Sequence, residues 1–165
     1  MRYREQVQRT LPDLGPRGEG WVALQGLIFL AIFGAGWLAP AWTGEVRLAS
    51  TALGALLAGA GGLLALRGVL DLGDSLTAVP RPTDRGRLVE HGVYAMVRHP
   101  IYSGLIMGAV GWGLATASPL AVGGGLVLGV FFDLKSRREE AWLAERYQAY
   151  PDYRRRTRKL IPWVY

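Results

Sequence analysis

Apolar residues fall into four long runs separated by polar stretches of very unequal length. The first, 21–39, holds one strongly polar residue, Gln25, and at ~1.5 Å per residue it would extend roughly 28 Å, close to the hydrocarbon thickness of a bilayer. Trp21, Trp37 and Trp42 stand near its two ends, where interfacial aromatic anchors belong. The second run, 48–66, carries Gly54, Gly59, Gly61 and Gly62. These would weaken a soluble helix but permit close helix contact in lipid. The third run, 100–116, and the fourth, 119–132, are separated by Ala117-Ser118-Pro119. There Ser118 can cap and Pro119 can take the first helical position, which predicts a tight helical hairpin.

The polar stretches complete the outline. Residues 1–20 include Arg2, Arg4, Arg9 and Arg17 and are broken by Pro12, Gly15, Pro16, Gly18 and Gly20, which suits a short interfacial or irregular lead-in. The first apolar run is too long for a signal-peptide core and reads as a retained span. Residues 71–90, with Pro80, Pro82, Asp84 and Gly86, form a long connection, which is either a functional loop or a solvated linker. Beyond the fourth run, 133–149 lacks Pro and Gly and is rich in helix formers, so the fourth helix is expected to project into water. The expected fold is an all-α integral membrane protein of about four transmembrane helices, five being the alternative. It contains a helical hairpin and a cytoplasmic C-terminal helical extension. One domain is expected over 1–165, with two N-terminal spans in 1–70 and the chemistry in 71–165.

Charge sharpens this picture. Half of the residues are apolar and the net charge is +6, with a mean hydropathy of +0.17; basic flanks on apolar spans account for both. The 19 Lys and Arg residues divide as 4 before the first span, 1 between the first and second, 5 before the third, none in the hairpin turn and 9 after the fourth. The positive-inside rule then puts both termini and the long connection in the cytoplasm. The basic residues lie beside apolar segments and on no recognisable reading helix, which favours anionic membrane lipid over nucleic acid as a partner. Cysteine is absent, which excludes disulfides, a thiol nucleophile and a cysteine metal site. His91 and His99 lack the i, i+4 ligand spacing, so no metal centre is expected.

Candidate chemistry concentrates in residues 92–104, where Tyr94, Arg98, His99, Pro100 and Tyr102 lead into the third helix. An X-Pro residue is disfavoured from helical geometry, so His99 should be extended and Pro100 should open the helix. From His99 to Thr116 is roughly 26 Å of helix, and from Pro119 back to Glu140 roughly 32 Å. His99 and Glu140 therefore return to similar depth, with Glu139 beside Glu140. Cationic, anionic and aromatic groups together suit a zwitterionic ligand with a flat ring: a carboxylate accepts from an ammonium or hydroxyl, and Arg98 or backbone N–H groups bind a carboxylate. Tyr94, Tyr102 and Trp142 could hold a ring or face a sulfonium. The plainer alternatives are a solvated Glu pair linked to Lys135, Arg137 or Arg138, and glycines that serve packing at Gly104, Gly108, Gly123, Gly124, Gly125 and Gly129.

The order Leu88-Val89, Gly92-Val93-Tyr94, Arg98-His99-Pro100-Ile101-Tyr102 and Gly104, then Glu139-Glu140, then Tyr150, Tyr153, Arg156 and Pro162, resembles the isoprenylcysteine carboxyl methyltransferase and phospholipid methyltransferase superfamily of integral membrane enzymes. The resemblance covers roughly residues 72–163. It implies S-adenosylmethionine as cofactor, bound without a Rossmann domain by the C-terminal half, 71–165, facing the cytoplasm. By position it implies cofactor contacts at Gly86, Arg87, Leu88, Val89, Tyr94, His99, Pro100, Ile101, Tyr102 and Glu140, with Glu139 the neighbouring member of the pair. Two positions depart from the pattern. Ser136, between Lys135 and Arg137, stands where the prenylcysteine enzymes carry an Arg implicated in substrate handling, and Arg158 stands where a Pro is common.

The function so implied is methyl transfer from S-adenosylmethionine to a lipophilic or small-molecule acceptor, a carboxylate, amine or thiol, at the cytoplasmic face. In that reading Glu139, or His99, takes a proton if the acceptor is an amine, and Arg156 closes the site or steers an anionic acceptor. The alternative is a non-catalytic membrane protein that binds anionic lipid or a partner through its basic C-terminus.

Overall fold

The computed structural model describes residues 11–82 and 86–165. Arg2, Arg4 and Arg9 of the lead-in and Asp84 of the connection lie outside the described residues. The described residues form five α-helices in order: α1 (Glu19–Leu38), α2 (Gly44–Leu72), α3 (Pro100–Ala115), α4 (Pro119–Arg146) and the short α5 (Tyr150–Arg156), with 3₁₀ turns at Gly73–Ser75 and Gly92–Ala95. The described residues form no strand beyond an isolated bridge between Val97 and Arg158. By length and composition α1, α2 and α4 can cross a membrane, while α3 is an apolar helix of 16 residues, about 24 Å long. The protein is an all-α integral membrane bundle of three full spans and one shorter apolar helix.

Two helices differ from the expected bounds. Helix α2 runs from Gly44 to Leu72 rather than over 48–66, because hydropathy marks the apolar length whereas the backbone ends where Gly73 turns to φ 49°. The added last turn carries the Arg67–Asp71 ion pair at 3.0 Å and packs Gly68 against Pro100 and Ile101. Helix α4 stops at Arg146 instead of continuing to 149. Tyr147 is extended, and α5 restarts at Tyr150-Pro151. Burial of Tyr150 and Tyr153 overrides local helix propensity and turns the chain back over the bundle.

Small residues set the packing. A Cβ on Gly61 would meet the Gly104 carbonyl oxygen and the Gly108 amide, and one on Gly111 would meet Ala58 N at 2.6 Å; α2 and α3 therefore pack backbone to backbone. Ser118 closes the α3–α4 hairpin as expected. Its Oγ accepts from Ala121 N at 3.2 Å and donates to Ala35 O at 3.0 Å, tying the turn to α1 as well. The core joins Trp21 and Ile32 of α1, Ala109 of α3, and Leu128, Phe131 and Phe132 of α4. Leu27, Leu30, Leu56, Leu63, Leu126 and Val130 face outward, whereas Lys135, Arg138, Glu140 and Lys159 are buried. Apolar side chains outside and charges inside one end of the bundle are the arrangement that lipid imposes.

Candidate functional site

The C-terminal segment holds the entrance of α3. Arg98 N donates to Arg158 O at 2.8 Å and His99 N to Lys159 O at 3.1 Å, and Ser103 Oγ donates to Leu160 O at 2.6 Å. His99 is thereby held non-helical at φ −128°, ψ 60°, with Pro100 opening α3. His99 and Glu140 do return to the same depth: His99 Nε2 lies 3.2 Å from Glu140 Oε1.

Adjacent helix residues point about 100° apart, and this splits the carboxylate pair. Glu140 is 1% exposed. It accepts from Arg98 Nε at 2.8 Å and pairs with Arg154 Nε at 3.2 Å. Arg98 also donates through Nη1 to the Arg154 carbonyl at 3.2 Å and to the Thr157 carbonyl. Glu140 is thus the hub that fastens α4, the α3 entrance and the C-terminal segment together. Glu139 turns the other way. It accepts from Tyr102 Oη at 2.7 Å and lies 3.8 Å from His99 Nδ1. Below it the His99 and Tyr102 rings stack at 5.3 Å and 2°, and Tyr102 stacks on Phe132 at 4.4 Å and 13°.

The long connection supplies the facing wall. Tyr147 Oη donates to Gly86 O at 2.8 Å, and Arg87 N donates to Ser75 Oγ at 2.9 Å. Val93 N donates to Asp71 Oδ2 at 2.9 Å. Gly92 has φ +60°, and the Asp71 carboxylate occupies the place a Cβ would take; only glycine fits there. Tyr153 Oη donates to Tyr94 O at 2.8 Å. Burial pushes the Tyr94, Tyr150 and Tyr153 phenols well above their ordinary range, with Glu139 adding to the effect at Tyr94 and Glu140 at Tyr150. All three are neutral hydroxyls at physiological pH.

Between these walls lies a cavity of about 250 Å³, just below the roughly 300–1,000 Å³ usual for small-molecule sites. Of the residues singled out in the sequence, Gly86, Arg87, Leu88 and Val89 line one side, and Tyr94, His99, Ile101, Tyr102 and Glu139 line the other. Pro100 and Glu140 stand behind the wall, fully buried. Arg156 is outside it. It pairs with Glu90 and borders a second cleft of about 380 Å³ with Arg155, Arg158 and Trp163. Trp142, considered as a ring-holding residue, instead lies beneath the Arg138 guanidinium at 4.5 Å. Ser136 is turned inward and donates to Asp133 O.

Several cavity residues carry no contact implied by the sequence. Tyr147 lines it, as does Tyr150, which stands in the family-like order but without a contact assigned to it; both reach the cavity because α4 ends early, and the Tyr150-Pro151 pair is the signal for that break. Gln25 and Lys135 also line it, joined across α1 and α4 by a 2.6 Å hydrogen bond. The lone polar residue of the first span was the only hint of that contact.

Apolar-surfaced helices with a ring-lined, charge-bearing cavity at their polar end are those of an integral membrane protein. Residues 49–150 match the phospholipid methyltransferase family, and the chain belongs to that family. It is 35% identical over 100 residues to "Probable protein-S-isoprenylcysteine O-methyltransferase" from Oryza sativa, in both the indica and japonica subspecies; the match covers 58% of this chain and 52% of the relative. It is 31% identical over 86 residues to "Protein-S-isoprenylcysteine O-methyltransferase B" of Arabidopsis thaliana, covering 51% of this chain and 44% of that protein. The chain thus spans about half the length of the curated relatives it matches. The solved structure of the eukaryotic intramembrane Ras methyltransferase, isoprenylcysteine carboxyl methyltransferase, superposes with a TM-score of 0.66 at 23% identity, covering 98% of this chain and 60% of that one. The two share a fold.

Proposed function

We propose that the chain is a methyltransferase that moves a methyl group from S-adenosylmethionine to a lipophilic or small acceptor at the cytoplasmic face of a membrane. One observation carries the reading: the loop 86–89, the His99–Tyr102 stack and Glu139, which are far apart in sequence, converge on one cavity at the polar end of the bundle. The donor set fits the cofactor. Glu139 offers an ionic acceptor, the loop and Tyr94 offer backbone and ring surface, and Tyr150 lines the same cavity with a buried hydroxyl that has no hydrogen-bond partner. A buried polar group without a partner is costly, so a ligand group facing Tyr150 is the natural complement.

Bound there, S-adenosylmethionine supplies a sulfonium methyl that is already activated toward displacement. The protein's contribution is then alignment and exclusion of water. Glu139, Tyr94, Tyr102, His99 and Tyr150 hold and orient, while Glu140, itself held by Arg98, fixes His99 from behind. His99 can donate through Nε2 to Glu140, which leaves Nδ1 on the Glu139 side. A carboxylate or thiolate acceptor needs no base; an amine gives its proton to Glu139 or His99. Arg156, through Glu90, steadies the end of the loop 86–89. The basic cleft of Arg155, Arg156 and Arg158, with exposed Trp163 beside it, suits contact with anionic lipid and supports the cytoplasmic placement of the C-terminus.

The test is a labelled-methyl assay with the purified protein in detergent, offering phosphatidylethanolamine, prenylated cysteine analogues and small thiols in turn. Incorporation into one class that is lost in Glu139→Gln is the expected result. No incorporation into any acceptor, together with no cofactor binding, would overturn the proposal.

A further inference from the structure

The least expected group in the bundle is Lys135. It is 3% exposed and sits one helical turn, ~6 Å, deeper along α4 than Glu139. Its ammonium donates to Gln25 Oε1 at 2.6 Å and stands 5.2 Å from the Tyr102 ring centroid and 5.8 Å from that of Phe132. Among the described residues it forms no ion pair. Asp133 pairs with Arg137 and Lys159, and Glu139 is taken up by Tyr102 and His99. A buried cation whose hydrogen-bond partner is an amide oxygen, with two ring faces beside it and the Glu139 charge a turn away, is expensive to keep, and an ionisable group at such depth marks a ligand path more often than a structural contact.

Lys135 and Gln25 both line the cavity, in company with Leu105, Ile101, Val69 and Leu72. We infer that Lys135 and Gln25 form an oxyanion-binding subsite for a lipophilic acceptor, the ammonium pairing with a carboxylate or phosphate oxygen while the apolar side chains take the lipid chain. This rests on the methyltransfer reading of the cavity and narrows its acceptor to an amphiphile that carries a negative group near the transferred position. The Gln25 amide fits the role, because its oxygen steadies the ammonium and its NH₂ remains to donate to the same anion. Ser136, one residue on, cannot share the task because its side chain is turned into the helix.

The test compares charged and neutral forms of one amphiphile on the full chain in detergent, by calorimetry. N-acetyl-S-farnesylcysteine against its methyl ester reads a carboxylate source, and lysophosphatidic acid against monoacylglycerol reads a phosphate source. Wild type should bind at least one charged form about tenfold tighter than its neutral partner, the scale of one charge-assisted hydrogen bond. Lys135→Gln should abolish that preference, Lys135→Arg should retain it, and Gln25→Leu should weaken it. S-adenosylhomocysteine binding is measured alongside in wild type, as a separate reading of the cavity. Which pair discriminates identifies the source. No discrimination in either pair, or a preference that survives Lys135→Gln, overturns the subsite. Loss of cofactor binding in wild type would instead overturn the methyltransferase reading, and the amphiphile comparison would still decide the subsite.

Discussion

Glu139 and Glu140 are neighbours in sequence with different expected roles, and exchanging each for Gln separates them. Glu140 is 1% exposed and receives Arg98 Nε at 2.8 Å and His99 Nε2 at 3.2 Å. Removing one partner of a buried ion pair costs about 3–5 kcal/mol. Glutamine keeps one acceptor oxygen, which puts Glu140→Gln at the low end, ~3 kcal/mol, or roughly 6–12 °C in melting temperature for a chain of this size. The Arg154 contact adds little, since that guanidinium side chain is 36% exposed and screened by solvent. Glu139→Gln keeps an acceptor for Tyr102 and should cost about 1 kcal/mol or less. Its effect should fall on S-adenosylhomocysteine affinity, about tenfold weaker for a lost charged acceptor. Thermal unfolding in detergent with and without ligand measures both. A Glu140→Gln protein melting within ~2 °C of wild type, or a Glu139→Gln protein as damaged as Glu140→Gln, would refute the division into hub and ligand-facing carboxylate.

Other consequences follow from the same geometry. Gly104→Val would push a side chain into the Gly61 carbonyl and Ala65 and should destabilise by about 1–3 kcal/mol, whereas Gly108→Ala, with open space before it, should stay within about 0.5 kcal/mol; equal melting temperatures for the two would contradict the packing of α2 on α3. Tyr150→Phe removes a hydroxyl that has no partner, so the ligand-free protein should melt no lower than wild type while S-adenosylhomocysteine affinity falls. A drop in ligand-free stability would point to a partner within the protein. The raised Tyr94, Tyr150 and Tyr153 phenols keep their protons in the fold after the unfolded chain begins to lose its own near pH ~10. The folded state then binds more protons, so stability should fall as pH rises beyond that point. A melting temperature that is flat or rising there would contradict the burial of these rings.

Much of this was legible along the chain because it depends on local rules. His99-Pro100 and Ser118-Pro119 mark helix starts by backbone sterics alone, and counting rise from those two points places Glu139-Glu140 level with His99. Which carboxylate faces the cavity depends on how α4 is rotated, a property of its packing against Phe132 and Tyr102 that helix length does not carry. The end of α4 was hidden for a related reason. Residues 133–149 favour helix, and only the burial of Tyr150 and Tyr153 against the α3 entrance bends them away. The Lys135–Gln25 contact joins helices 110 positions apart in sequence, and nothing in either neighbourhood announces the other.

On the proposed function, the cavity between the loop 86–89 and the His99–Tyr102 stack binds the methyl donor. Titration of S-adenosylhomocysteine into the detergent-solubilised protein tests it most directly. One saturable site is expected, its heat lost or strongly weakened in His99→Ala and Glu139→Gln; no binding heat in wild type, or affinity unchanged in both variants, would rule that site out.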